Sequence, residues 1–364
     1  MATCLPKDGL PNHIHPMSIR WGIIGCGDVC EVKSGPGFQK ATASELVAVM
    51  RRDGDLAQDY ARRHGVPRWY DTADALIADA EVDAVYVATP PGSHLEIALK
   101  IAAAGKPAYV EKPMARSATE CREMIAAFER AEPPLFVAYY RRCLPRFIKV
   151  KELLPQIGEL RSVSYHCTQT MTDVSDARPL PWRLQPEHSG GGLFLDLGCH
   201  ALDIIDFILG PLKNTSGRAS NSSRQYEAED RVDLQWQHDP GIAGQATFDF
   251  NADSKIDRLE ITGSHGTIAT PCFDLTPIEL TINDQRQDID VPTPEHVHQP
   301  MIQSIVDELN GNGRCPSTGA SALRTSAVID AVLNDYYGGR ADAFWERSDT
   351  WPGNPLKGMA KSGE

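Results

Sequence analysis

A chain of 364 residues, 41% hydrophobic and 23% charged, has the balance of an ordinary globular protein and length enough for two domains with separate cores. Its formal net charge of -13 argues against nucleic acid and anionic membrane surfaces as main partners, because tracking phosphates takes a basic stripe. The nine cysteines are scattered without a C-x-x-C pair, which fits neither a disulfide framework nor a zinc knuckle and points to a reducing, cytoplasmic setting.

Residues 1–17 read as a loose tail broken by Pro6, Gly9, Pro11 and Pro16, without the apolar core of a signal peptide. His13 and His15 in that tail have a metal-like spacing but read as solvated side chains. No run anywhere reaches the roughly 20 apolar residues of a membrane helix. From Ile19 onward, short apolar runs alternate with helical patterns: strands at 20–25, 46–50, 84–88, 109–110 and 135–138, and helices at 55–64, 72–80, 94–104 and 118–130. Strand–helix repetition with nearly all-apolar strands predicts a parallel sheet covered on both faces, a Rossmann-type domain over 18–141.

After about residue 142 the pattern changes to alternation of apolar and polar residues. Val232, Leu234 and Trp236 share one strand face, and Ala246, Phe248 and Phe250 share another. Further strands are expected at 160–170, 259–268 and 278–282, and two helices at 299–309 and 320–336. The expectation is an α+β second domain over 142–340, with a large, mostly antiparallel open sheet for substrate binding and oligomerisation. Residues 341–364, with Pro352, Gly353, Pro355 and Gly358, read as an irregular or frayed tail.

The first strand runs into Gly25-Cys26-Gly27-Asp28-Val29-Cys30, a G-x-G-x-x-G pattern with cysteine in the third place. Gly25 permits a tight turn, Gly27 lets backbone approach a pyrophosphate, and Asp28 and Val29 open a helix whose free N–H groups face that anion. The second strand ends at Arg51-Arg52, where an acidic residue would normally take the adenosine ribose. Guanidinium forks suit a 2′-phosphate, so NADP is expected ahead of NAD; the alternative is a pair of exposed loop arginines.

Farther along stand Thr89-Pro90-Pro91-Gly92-Ser93-His94, Glu111-Lys112-Pro113, Gly190-Gly191-Gly192 leading to Asp196 and His200, and Pro316-Ser317-Thr318-Gly319. Together these motifs resemble the glucose-fructose oxidoreductase and inositol dehydrogenase family, Gfo/Idh/MocA, from Ile19 to about Tyr337. The resemblance implies that Thr89, Pro90, Pro91, His94 and Glu111 line the cofactor and that Lys112 lies beside the nicotinamide ribose and the reacting oxygen. Chemistry points the same way, since a fixed cation near a carbinol oxygen stabilises the charge that develops as hydride leaves. A surface Glu111–Lys112 ion pair is the plain alternative.

Asp196 and His200 are four residues apart in a segment that reads as helix, so both side chains should leave one face. His200 is expected as general acid/base, and Asp196 as the group that orients it or holds a substrate hydroxyl, roles that the resemblance also implies. A metal pair or a capped core helix are the alternatives; no further ligand stands at metal spacing, and no metal is expected. Tyr140 and Arg142, after the last Rossmann strand, and Trp182 with Arg183 are candidate substrate contacts. Cys26 and Cys199 have no adjacent base to make them nucleophiles.

The function expected is reversible hydride transfer between NADP(H), or NAD(H), and a hydroxyl-bearing carbon of a sugar, polyol or similar small molecule, in a homodimer or homotetramer. Two other readings stay open: an NAD-dependent glycosidase acting by transient oxidation, and a non-catalytic dinucleotide sensor.

Overall fold

The structure, a computed structural model, describes residues 17–170, 173–174, 177 and 179–358. The tail over 1–16, with His13 and His15, lies outside the described residues, as do residues 359–364.

The first half builds β1 (Ile19–Ile24), α1 (Asp28–Val32), α2 (Gly35–Lys40), β2 (Ser44–Met50), α3 (Gly54–His64), β3 (Arg68–Tyr70), α4 (Ala73–Ala78) and β4 (Ala84–Val87). It continues with α5 (His94–Ala103), β5 (Ala108–Val110), α6 (Ala118–Ala131) and β6 (Leu135–Val137). The six strands are parallel in the order β3-β2-β1-β4-β5-β6, the doubly wound arrangement that places ligands at the carboxyl edge where the order reverses, between β1 and β4. Every residue of β4, β5 and β6 is buried, as an all-apolar parallel strand should be. The expected single helix after the glycine turn is instead the short pair α1 and α2, broken at Lys33-Ser34 ahead of Gly35 and Pro36. A Cβ on Gly35 would stand 2.2 Å from the Cys30 carbonyl oxygen and 2.3 Å from the Tyr60 hydroxyl, so the break occurs where only glycine fits.

The second half runs α7 (Pro145–Leu153), β7 (Leu160–Thr168), α8 (Pro186–Ser189), a wide π-helical turn (Phe194–Gly198), α9 (Cys199–Leu209), β8 (Lys213–Ser220), β9 (Arg231–His238) and β10 (Ile242–Asp249). Then come β11 (Ile256–Gly263), β12 (Gly266–Thr270), β13 (Ile278–Ile282), β14 (Gln285–Ile289), α10 (Gln299–Leu309) and α11 (Gly319–Tyr337). Eight strands form one sheet in the order β14-β13-β12-β11-β7-β10-β9-β8, antiparallel except for the β10–β7 pair. Its inner face carries Val163 and Tyr165, Val232, Leu234 and Trp236, Ala246 and Phe248, and Leu259 and Ile261, all buried. The outer face is polar, with exposed Ser162 and His166 on β7 and Gln235 and Gln237 on β9.

The strand expected over 259–268 is a hairpin: β11 and β12 turn at Ser264-His265, whose amides bond to the carbonyls of Glu159 and Ile157. The stretch after Gly338 is irregular but packed, not frayed: Phe344 and Trp351 are fully buried with ring centroids 4.7 and 4.6 Å from Tyr337. The two halves interlock where Thr318 bridges Phe136 of β6 and the Ser317 hydroxyl donates to the Val137 carbonyl at 2.7 Å.

Candidate functional site

The carboxyl edge of the parallel sheet is shaped first by Gly25, held at φ +88°. A Cβ there would lie 2.7 Å from the Thr89 methyl and 3.1 Å from the Ala88 carbonyl carbon, so only glycine lets β1 turn this close to the end of β4. Gly27 is the opposite case: the nearest atom to its missing Cβ is 3.9 Å away, leaving bare backbone beside open space. Cys30 fills the third glycine's place, fully buried, with its sulfur 3.9 Å from the Gly25 carbonyl. Burial pushes the Cys26 thiol up to about 11 and the Cys199 thiol up to about 12, so neither is a thiolate nucleophile near neutral pH.

Beyond β2, the Arg51 amide donates to the Tyr70 carbonyl at 3.2 Å and Arg52 is exposed. Neither guanidinium has an ion-pair partner among the described residues. The Asp53 carboxylate is occupied as the N-cap of α3, accepting the amides of Asp55 and Leu56 at 3.1 and 3.2 Å. Two unpaired guanidinium groups therefore stand at this end, with the exposed Asp55 carboxylate just beyond.

His94 differs from expectation. Its ring is completely buried, with Nε2 2.7 Å from the Thr89 carbonyl and Nδ1 3.2 Å from the carbonyls of both Pro113 and Met114. It clamps the Thr89-Pro90-Pro91 loop to the Lys112-Pro113 turn and does not face a ligand.

Glu111 is also internal. One carboxylate oxygen accepts the Tyr86 hydroxyl at 2.6 Å and the other accepts the Lys112 amide at 3.0 Å, while burial raises its pKa. This fixes the backbone from which Lys112 projects. The Lys112 Nζ donates to the Asp196 carboxylate at 2.5 Å and to the Asp196 carbonyl at 3.0 Å. The other Asp196 oxygen accepts from Arg183 Nε at 3.0 Å, and the Arg183 guanidinium lies 4.5 Å from the centre of the Trp182 ring. Burial alone would lower the Lys112 pKa, but the Asp196 charge reverses this and holds the ammonium above the ordinary lysine value. Burial likewise opposes the Asp196 charge, and Lys112 and Arg183 outweigh it, keeping the carboxyl below its usual range. Thus Lys112, Asp196, Trp182 and Arg183, from distant parts of the chain, meet at one place.

His200 lies nearby but is not oriented by Asp196. Residues 194–198 form a π-helical turn, so the straight α-helical spacing assumed between them does not hold, and the Asp196 oxygens are taken by Lys112 and Arg183. The imidazole is buried, with Nδ1 3.4 Å from Arg141 Nη1 and the rings of Tyr139, Tyr140 and Phe273 around it at 6.3, 5.5 and 6.0 Å. Burial first, and then the charges of Arg141 and Lys112, hold its pKa well below 6.5, so it is a neutral ring at rest.

Arg142 is not a substrate contact. It is 4% exposed and bonded to both oxygens of Asp203, to Asp206 at 3.0 Å and to the Pro316 carbonyl at 3.1 Å, which makes it a buried structural cation. Its neighbour Arg141 reaches the site instead, donating to the Tyr140 hydroxyl at 2.6 Å. His298 is a further site residue that the sequence reading did not single out. It stacks on Tyr140 at 4.3 Å, meets the Tyr109 hydroxyl at 3.1 Å and stands 3.7 Å from Glu111. Its place immediately before the Gln299–Leu309 helix was the available signal.

Among the described residues no cluster of His, Cys, Asp and Glu could hold a metal, and no helix is long and apolar enough to cross a membrane.

Comparison with known proteins gives a family match in two parts: GFO_IDH_MocA, "Oxidoreductase family, NAD-binding Rossmann fold", over residues 19–139, and "GFO/IDH/MocA C-terminal domain" over residues 147–269. An oxidoreductase of Formosa agariphila is 38% identical over 315 residues, 86% of this chain and 97% of that protein. The trans-1,2-dihydrobenzene-1,2-diol dehydrogenase of Oryctolagus cuniculus is 31% identical over 69% of this chain and 75% of its own length. The aldose-aldose oxidoreductase of Caulobacter crescentus, solved with glycerol, superposes with a TM-score of 0.79 at 24% identity, covering 89% of this chain and 98% of that one.

Proposed function

The chain belongs to the GFO/IDH/MocA oxidoreductases, and from that premise we propose that it transfers hydride reversibly between NADP(H) and a CH–OH carbon of a sugar, polyol or related small molecule. The residues at the sheet edge fit a dinucleotide: the bare Gly27 backbone leaves room for a pyrophosphate, and Arg51 and Arg52 are unpaired cations where a 2′-phosphate would lie. When bound, the nicotinamide supplies the hydride acceptor or donor.

One observation carries the reading. An ammonium has three N–H donors, and Asp196 takes two of those on Lys112, leaving the third for a substrate oxygen beside the sheet's carboxyl edge. Lys112 then stabilises the negative charge that gathers on that oxygen as the C–H bond breaks. Asp196 keeps Lys112 charged and in place. His200, held neutral, takes the hydroxyl proton in oxidation and returns it in reduction. Trp182 offers a flat apolar surface to a substrate ring, and Arg183 a donor fork beside it.

The eight described cysteines are free thiols, which supports a reducing, cytoplasmic setting. Association of two or four copies through the outer face of the large sheet is part of the proposal, to be tested by light scattering. The reaction is tested by screening sugars, polyols and keto-sugars while following NADPH and NADH absorbance in both directions. Turnover with neither cofactor would end the proposal. Free sugar released with no net reduction would favour glycoside hydrolysis by transient oxidation.

A further inference from the structure

Four arginines are buried among the described residues: Arg141, Arg142, Arg146 and Arg340. Two have carboxylate partners, Arg142 with Asp203 and Asp206 and Arg340 with Asp330. The other two, Arg141 and Arg146, have none among the described residues, and both line the same cavity. That cavity opens between the turn following β6, the loop after β12 and the segment before α10, with Phe273, Leu275 and Pro292 in its walls.

Arg141 is 9% exposed, and its guanidinium lies between the Tyr140 and Phe273 rings at 4.9 and 4.7 Å. Its Nε donates to the Cys272 carbonyl at 3.0 Å and its Nη1 to the Tyr140 hydroxyl, while Nη2 makes no hydrogen bond among the described residues. Arg146 is 7% exposed and bonds only to neutral oxygens, the Thr270 hydroxyl at 3.3 Å and the Thr276 carbonyl at 2.6 Å. Arg146 feels the charges of Asp257 and of the exposed Asp290 without bonding to either, whereas the groups acting most on Arg141 are Tyr140 and Cys272, with no carboxylate among them. Asp274 is paired with Lys255, and Asp257 accepts the amides of Cys272, Phe273 and Asp274 and the Tyr165 hydroxyl. A cation such as Arg141, removed from water without an ion-pair partner, is costly unless a ligand brings one.

Resting on the function proposed above, we infer that the substrate is a sugar acid or similar hydroxy acid whose carboxylate docks on Arg141, with Arg146 adding charge from the facing wall. Arg141 Nη1 lies 3.4 Å from His200 Nδ1, so an acid held there presents a hydroxyl a few bonds away to His200 and Lys112. With Nε and Nη1 engaged, the free Nη2 of Arg141 is the donor left for a carboxylate oxygen, a charge-assisted hydrogen bond. Burial first, and then the charges of Arg141 and Lys112, keep His200 from protonating, and the bound anion offsets the Arg141 charge.

The test is calorimetric binding to the full chain, with and without NADP, of matched pairs: glucuronate against glucose, gluconate against glucitol, with glucose 6-phosphate and inorganic phosphate as further arms. The acids are expected to bind roughly tenfold or more tighter than their neutral partners, the ratio typical of one charged hydrogen-bonded contact. Arg141→Gln should abolish the ratio and Arg141→Lys keep part of it. Arg146→Gln, measured in parallel, should reduce it without abolishing it, so the idea remains testable if the first variant does not fold. Equal binding of acids and neutral partners, an unchanged ratio in Arg141→Gln, or tighter binding of the phosphates than of the carboxylates would each overturn the inference. Reduction of cofactor by neutral polyols without any preference for acids defeats this inference alone. Selective acid binding without cofactor reduction by any compound defeats the proposed reaction and leaves the anion site standing.

Discussion

Replacing Asp196 by asparagine keeps the shape of the side chain and removes its charge. In the native protein that charge serves Lys112 at 2.5 Å and Arg183 at 3.0 Å, with the Lys112 and Asp196 side chains only 14% and 19% exposed. Removing one member of a largely buried pair costs about 3–5 kcal/mol. The amide oxygen retained by asparagine can still accept one hydrogen bond, so the lower end applies. At roughly 2–4 °C per kcal/mol for domains of this size, a loss of ~3 kcal/mol lowers Tm by roughly 6–12 °C. A second readout is specific to Lys112. Without the carboxylate, burial governs its ammonium, its pKa moves down, and the alkaline limb of kcat/KM moves to lower pH. Scanning calorimetry and a pH profile of cofactor reduction check both effects. A Tm within about 1 °C of native together with an unmoved alkaline limb would refute the reasoning, because Asp196 would then be neither holding Lys112 nor keeping it charged.

Four further outcomes are expected. His200→Ala should lower kcat by roughly 10²–10⁴-fold while leaving the Kd for cofactor near native; unchanged turnover removes it from the mechanism. Arg51→Ser with Arg52→Ser should weaken NADPH binding about tenfold or more and leave NADH little affected, read by fluorescence titration of both. Arg142→Met should act on the fold rather than the substrate, because it strands Asp203, while Asp206 keeps Arg324, and costs about 3–5 kcal/mol, measured by denaturant unfolding. A native-like Tm with a raised KM would restore Arg142 as a substrate contact. For His298, burial first lowers the folded pKa to about 3 against 6.5 when unfolded, so the unfolded chain takes the proton first. Its stabilising contribution is complete above 6.5 and is lost as pH falls toward 3, and Tm should decline less steeply across that window in His298→Gln than in the native chain.

Much of the first half could be read from the sequence because its strands are apolar runs punctuated by glycine. Gly25 and Gly27 occupy the turn after β1, whereas Asp196, expected to orient His200, bonds to Lys112 instead. Three strands escaped because their side chains carry little burial signal. Lys213–Ser220 and Gln285–Ile289 are mostly exposed, and Arg68–Tyr70 has only three residues. Arg141 and Arg142 show a different limit. They are sequence neighbours, and only the fold decides that Arg142 meets two aspartates while Arg141 turns to His200. His94 has the residue type of a ligand contact, yet three carbonyls surround its ring, a fact that spacing cannot convey. His298 joins the site from more than 150 residues beyond Lys112 in the chain, so no local pattern linked them.

The wide turn at Phe194–Gly198 gives the reaction centre a natural point of adjustment. Such a turn carries one more residue than ordinary helix needs, and excising that residue would let the backbone wind regularly into Cys199–Leu209. Each residue of an α-helix rotates the next by about 100°, so the shortened chain would swing Asp196 round the helix axis while His200, anchored on the regular side, stayed put. A single codon gained or lost here would part the counter-charge from its lysine, and would turn the buried Phe194 and Leu195 with it.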